Sequence, residues 1–259
     1  MNSFDRVASD FEQHRTLPSH VPIAIRQTLH EHAGLDAKAP LLEVGCGTGR
    51  IGAEFCAAGD NYLGLDSSMG MLREFQEKKL VETPNLVYAD GCHLPFGDGV
   101  FNVVLMVQVL TARNWRALLA EAQRVLQRRG ALAIGKTEGP PDGIDATMRN
   151  RLEKMISDLG TSEPSPDRGL MGEWLRAKSS RHMEIRSIHW TEDRTARDFF
   201  LRKRSAARFA SLPVKVRETA LQSLAAWTEQ RLGSLDTPVS ESYHFCLDLY
   251  WFQSGGYKA

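Results

Sequence analysis

Cysteine is scarce in this chain. Its 259 residues hold only Cys46, Cys56, Cys92 and Cys246, far apart and without a C-x-x-C pair. That scarcity argues against a disulfide framework or a zinc ribbon and favours four small buried hydrophobes. Eight histidines offer no metal spacing either: His30 and His32, two apart on a predicted helix, point to different sides. The expectation is that no metal is bound. No stretch approaches the ~18 apolar residues of a membrane span. The opening residues MNSFDRVASDFEQHR carry charges where a signal peptide needs an apolar segment, so the expected location is cytoplasmic with no membrane partner. Surplus charge is absent too. Lysine plus arginine equals aspartate plus glutamate at 32 each, which gives no support to a nucleic-acid partner. What remains is ordinary for a globular enzyme, 42% apolar and 25% charged, with length for one large α/β domain or one domain with a sizeable insertion.

The informative residues are Leu41 to Arg50, LLEVGCGTGR. Leu41, Leu42 and Val44 predict a strand buried on both faces, started by Pro40. Gly45, Gly47 and Gly49 then supply positive φ and missing Cβ atoms, so that a ligand can lie against the backbone where the next helix offers unpaired N–H groups. Seventeen residues after Gly49, the apolar run Tyr62-Leu63-Gly64-Leu65 ends in Asp66. A carboxylate at the tip of the second strand of a βαβ unit is placed to accept both hydroxyls of a ribose. The pattern is that of a nucleotide-cofactor turn.

Spacing narrows the cofactor. A dinucleotide fingerprint runs G-x-G-x-x-G, whereas here the glycines fall as G-x-G-x-G and Arg50 stands where the last dinucleotide glycine belongs. With Glu43 before it, the turn resembles motif I of the class I S-adenosylmethionine-dependent methyltransferases, small-molecule branch. Further segments resemble that family in its order. Leu86 to Phe96 (LVYADGCHLPF) matches the third strand and adenine loop, Phe101 to Leu110 the fourth strand, Trp115 to Gly130 the following helix, and Ala131 to Lys136 strand five. The resemblance covers roughly residues 1 to 137. It implies S-adenosyl-L-methionine as cofactor, held by Glu43, Gly45, Cys46, Gly47, Gly49, Asp66, Ser67, Asp90, Gly91, Cys92 and Gln108, with Asp90 accepting from the adenine amine. Arsenite methyltransferases, relatives that use cysteine trios, are not expected here because Cys46 lies in the turn.

At the N-terminus, Phe4, Val7, Ala8 and Phe11 fall at helical spacing, and a second helix is predicted over about Val21 to His32. The family often carries there a segment that closes over the cofactor, which assigns Arg15 to the cofactor and Phe11 to the substrate; the alternative is that Phe11 is core and Arg15 solvated. One departure stands out. Many relatives place a histidine after strand four, near the transferring methyl, and this chain reads Gln108-Val109-Leu110-Thr111-Ala112-Arg113-Asn114. No catalytic base is named. Thr111 is a candidate substrate contact.

Past strand five, Asp145 is expected to cap a helix running to about Gly160, followed by a loop over 161–169 and a short helix over 170–178. Strands six (His182 to Trp190) and seven (Tyr243 to Phe252, antiparallel in this fold) are separated by about fifty residues, far more than a hairpin needs. Helices are predicted there over about Thr195 to Ala210 and Val214 to Leu232, the second bounded by Pro213 and Gly233. The basic run around Arg202 and Arg204 is open to three readings: a lid gripping a substrate anion, an amphipathic helix with core phenylalanines and solvated cations, or a nucleic-acid contact, which a run this short in a chain of zero net charge disfavours. Tyr243 is a further candidate substrate contact, and His189, His244 and Tyr250 are ionisable sheet residues.

The expected fold is α/β, a Rossmann-like seven-stranded sheet with strand seven antiparallel. Residues 1–35 form an N-terminal helical lid, 36–190 and 239–259 the cofactor-binding core, and 191–238 a helical insertion. The expected function is methyl transfer by SN2 to O, N or C of a small molecule, with an anionic acceptor as one option. The alternatives are an RNA or protein methyltransferase, or a degenerate cofactor-binding scaffold. The partner is a small-molecule methyl acceptor, and the protein a monomer or homodimer.

Overall fold

Pro40 ends a turn at the surface, and the apolar residues after it enter the interior as β1 (Leu41–Val44), buried throughout. In the computed structural model, which describes residues 17–78, 80, 83–110, 114–161, 168–204, 206, 209 and 211–252, this strand lies inside a seven-stranded sheet. With β2 (Tyr62–Asp66), β3 (Asn85–Tyr88), β4 (Phe101–Val107), β5 (Leu126–Glu138), β6 (Ser179–Arg194) and β7 (Val239–Phe252), the order is β3-β2-β1-β4-β5-β7-β6. Strands β1 to β5 pair in parallel, and β7 is antiparallel. The direction of winding reverses beside β1, so the carboxyl ends of β1 and β4 flank the crevice where such sheets take ligands. The expected fold class is the one found.

The chain divides into two compact units. The larger comprises Leu17–Lys136, Ser165–Ile188 and Phe245–Ala259. It holds helices α1 (His20–His32), α2 (Gly52–Ala57), α3 (Met69–Gln76), α4 (Trp115–Val125) and α6 (Arg168–Lys178). Leu42, Val44, Val104, Met106 and Leu132 meet Leu118, Leu119 and Ala122 of α4 in one apolar core, the continuous burial expected of a parallel sheet. Helix α1 is tied to the start of β2 through Asp60, which accepts from Arg26 Nε at 2.5 Å and lies 3.2 Å from His30 Nε2. His30 therefore serves in packing. All four cysteines are thiols.

The smaller unit comprises Met1–Thr16, Thr137–Pro164 and His189–His244. Its helices α5 (Ile144–Asp158), α7 (Ala196–Arg204) and α8 (Val214–Leu232) bury Met148, Leu152, Phe199, Phe200, Phe209, Ala220 and Leu224 together. The helices predicted beyond residue 191 thus have an apolar core of their own with α5. Among the described residues, no helix is long and apolar enough to cross a membrane.

Several boundaries differ from expectation: β6 runs over Ser179–Arg194 rather than His182 to Trp190, and β7 begins at Val239 rather than Tyr243. Helix α4 stops at Val125 rather than Gly130, because Leu126 already pairs with Phe101 in the sheet; the helical period of WRALLAEAQRVLQRRG yields to strand pairing. Gly130 lies within that strand, where a Cβ would come within 2.9 Å of the Asn102 carbonyl oxygen. Asp145 does not cap α5. Gly143 occupies the cap position, and the side chain of Glu241 reaches from β7 to accept the Ile144 N–H. The Asp145 carboxylate instead takes Arg194 at 2.8 Å and Arg202 at 2.5 Å.

Candidate active site

The turn after β1 is built by backbone hydrogen bonds. The N–H groups of Gly45 and Cys46 donate to the Leu65 carbonyl at 2.7 and 3.0 Å, and Gly49 N–H donates to the Cys46 carbonyl at 3.0 Å. All three glycines have positive φ, at 74°, 55° and 76°, a region costly to residues with a Cβ. They are not equivalent. A Cβ at Gly45 would lie 2.0 Å from Val109 Cγ1, and one at Gly49 would lie 2.3 Å from the Phe75 ring, but at Gly47 a Cβ would meet nothing within 4 Å among the described residues. Gly45 and Gly49 are needed for packing; Gly47 leaves its backbone open on one side.

Asp66, at the carboxyl end of β2, accepts Gly47 N–H at 2.9 Å through Oδ2 and Ser68 N–H at 2.8 Å through Oδ1. One carboxylate thereby fixes the glycine turn and the start of α3. Ser68 also caps α3, accepting the Met71 N–H at 3.3 Å. Ser67, the predicted contact, is its neighbour in the chain.

Glu43 lies beneath the turn, 3% exposed, and accepts the Tyr62 hydroxyl at 2.6 Å. Burial pushes its carboxyl up to about 7, opposed by the Tyr62 hydrogen bond and Arg50 and reinforced by Asp66. Burial also pushes the Cys46 thiol up, with Glu43 and Asp66 adding to the effect, so that thiol stays neutral.

On the neighbouring loop, Asp90 is exposed and accepts the Cys92 N–H at 2.9 Å, which holds its carboxyl below the usual range. Gly91 is buried where a Cβ would lie 2.6 Å from Leu118 and 2.9 Å from Val44. At the end of β4, Gln108 is exposed and has φ 57°, the one non-glycine residue with positive φ among those described. Such a conformation costs about 1–3 kcal/mol and tends to occur at ligand sites.

The glycine turn, Asp66, Asp90 with Gly91 and Cys92, and Gln108 all follow the carboxyl ends of β1 to β4. Elsewhere, Arg202 is engaged by Asp145, Arg204 is exposed, and Tyr243 is buried with its hydroxyl donating to Glu241 at 2.6 Å and Arg194 over its ring. Phe11, Arg15 and Thr111 lie outside the described residues, as does the rest of the predicted N-terminal lid segment before residue 17. Sequence reasoning missed Tyr62, Ser68, Phe75 and Val109. Only Ser68 carried a local signal, as a serine three residues before Met71 at a helix start.

Residues 42–134, which contain this turn, Glu43, Asp66, Asp90 and Gln108, match the family model of the methyltransferase domain. Over this segment the chain is similar to methyltransferase domains. The chain is 30% identical over 139 residues to a demethylmenaquinone methyltransferase of Corynebacterium urealyticum, covering 53% of this chain and 59% of that protein. Solved structures share its fold. YcgJ protein from Bacillus subtilis superposes with a TM-score of 0.57 at 17% identity, over 91% of this chain and all of that one. A geranyl diphosphate C-methyltransferase from Streptomyces coelicolor, solved with S-adenosyl-L-homocysteine, gives 0.50 at 14% identity, over 90% of this chain and 80% of that one. The chain spans about half the length of the first curated relatives that it matches.

Proposed function

We propose that the protein is an S-adenosylmethionine-dependent methyltransferase acting on a small molecule. The observation that carries this is the turn itself. Gly47 is open on one side, with nothing among the described residues within 4 Å of where a Cβ would stand, and its N–H is held by the Asp66 carboxylate at 2.9 Å. A cofactor with a ribose and an amino-acid tail fits that donor and acceptor set, and a G-x-G-x-G turn lacks the third-glycine spacing used for a pyrophosphate. Gly45, Gly47 and Gly49 would lie along the cofactor, Asp66 would accept the ribose hydroxyls, Asp90 the adenine amine, and Gln108 and Glu43 would border the reacting end.

When bound, the cofactor supplies an electrophilic methyl group on a sulfonium. The chain's part is to hold donor and acceptor in line, and alignment alone can remove ~7–11 kcal/mol of barrier. No base is assigned, in keeping with an acceptor that arrives as an anion, an amine or an activated carbon. Acceptor choice is assigned to residues 191–238, of which 195–238 connect β6 to β7 and exceed what a hairpin requires. The Corynebacterium relative acts on demethylmenaquinone, which supports a small-molecule acceptor, and a cytoplasmic location goes with that chemistry.

Incubation with methyl-labelled S-adenosylmethionine and separated fractions of a cell extract tests the acceptor class. Label is expected in the small-solute or lipid fraction. Label appearing only in RNA or protein would contradict a small-molecule acceptor.

A further inference from the structure

Tyr62 opens β2 and is almost wholly buried. Its ring stacks on Phe55 of α2, with centroids 6.0 Å apart, and meets Phe75 of α3 edge-on at 6.2 Å. Phe75 is the ring beside Gly49. The Tyr62 hydroxyl lies in a space left by two glycines outside the turn: a Cβ at Gly52 would lie 2.1 Å from it, and one at Gly64 would lie 2.8 Å away. Glycine in a helix or strand costs about 0.5–1 kcal/mol against alanine, and here both vacancies admit one phenol oxygen. The Tyr62 hydroxyl donates to Glu43 Oε2 at 2.6 Å.

We infer that Tyr62 is a positioning residue for the cofactor turn, holding Glu43 as a carboxylate beneath Gly45–Gly49 so that the site favours the cationic sulfonium over its neutral thioether product. This rests on the cofactor assignment above. The groups facing Glu43 are Tyr62 from β2, Arg50 and Cys46 from the turn, and Asp66 from the end of β2. Burial raises Glu43 to about 7, and the phenol hydrogen bond is the largest influence pulling it back. The sign follows directly. Below that pH Glu43 gains a proton and the preference for a cation falls; removing the phenol moves the protonation to higher pH.

The test is calorimetric titration of the full chain with S-adenosylmethionine and S-adenosylhomocysteine from pH 6 to 9. In the wild type, affinity for S-adenosylmethionine relative to S-adenosylhomocysteine should rise about three- to tenfold through neutral pH. Tyr62→Phe, which keeps the ring stack, should move the midpoint up by about one pH unit, the size expected for losing a hydrogen bond to a charged group. Glu43→Gln should flatten the profile, and adding Tyr62→Phe to it should change the profile no further. If Tyr62→Phe does not fold, the Glu43→Gln profile decides alone. An unshifted profile in Tyr62→Phe, or a surviving pH dependence in Glu43→Gln, overturns the positioning role and leaves the cofactor assignment standing. A wild-type chain that binds neither compound overturns both.

Discussion

Asp66→Ala is expected to weaken binding of S-adenosylhomocysteine by about a hundredfold or more, the largest effect of any single side chain in the site. Two losses combine. The variant gives up the acceptor proposed for the ribose hydroxyls, and it releases Gly47 N–H and Ser68 N–H, which Asp66 now holds at 2.9 and 2.8 Å. Hydrogen bonds to a charged group are worth about 1.5–3 kcal/mol each, so the turn loses its shape as well as its ligand contact. Asp66→Asn should fall between the two. Its amide oxygen can accept from one of the two N–H groups, while its NH2 faces a donor in place of the other. Calorimetry on the two variants checks this order, and an Asp66→Ala protein with wild-type affinity would remove Asp66 from the site.

The glycines separate stability from binding. Gly49→Ala should destabilise the protein by about 2–5 kcal/mol, from roughly 1–2 kcal/mol of backbone strain at φ 76° and a clash with Phe75 costing about 1–3 kcal/mol. For a chain of this size each kcal/mol lowers Tm by about 2–4 °C, so thermal unfolding should move visibly. Gly47→Ala carries the strain but no clash among the described residues, where its Cβ would meet nothing within 4 Å. Its Tm should fall by only a few degrees, yet cofactor affinity should drop at least tenfold because the new methyl enters the space proposed for the ligand. Equal loss of Tm in both variants would contradict the difference in packing, and unchanged affinity in Gly47→Ala would show that the open side of Gly47 faces no ligand.

The site was legible in the sequence where the chemistry is local. Three glycines within five residues state their own need for positive φ, and Asp66 stands at the end of an apolar run, so both were readable without their neighbours. The reasons for two of those glycines were not, because Val109 and Phe75 come from distant points of the chain. Helix α8 shows the same rule: Pro213 and Gly233 mark its ends locally, and it spans Val214–Leu232 as expected. Helix α5 shows the converse. Asp145 looked like its cap, but Glu241, 97 residues away, takes the Ile144 N–H and leaves Asp145 to Arg194 and Arg202. The same tie changes what the basic run of α7 can be expected to do. Its phenylalanines are core and Arg202 is already matched by a carboxylate, neither of which a one-dimensional pattern distinguishes from an anion grip. Tyr62 was read only as part of an apolar run, since nothing in its own neighbourhood announces a partner nineteen residues earlier.

The most direct measurement is calorimetric titration of the purified chain with S-adenosylmethionine, S-adenosylhomocysteine and NAD(P)H. Saturable micromolar binding of the two adenosyl compounds, with none of the nicotinamide cofactor, is the expected result. Binding of NAD(P)H alone, or of no compound, would contradict the assignment of the Gly45–Gly49 turn and Asp66 to S-adenosylmethionine.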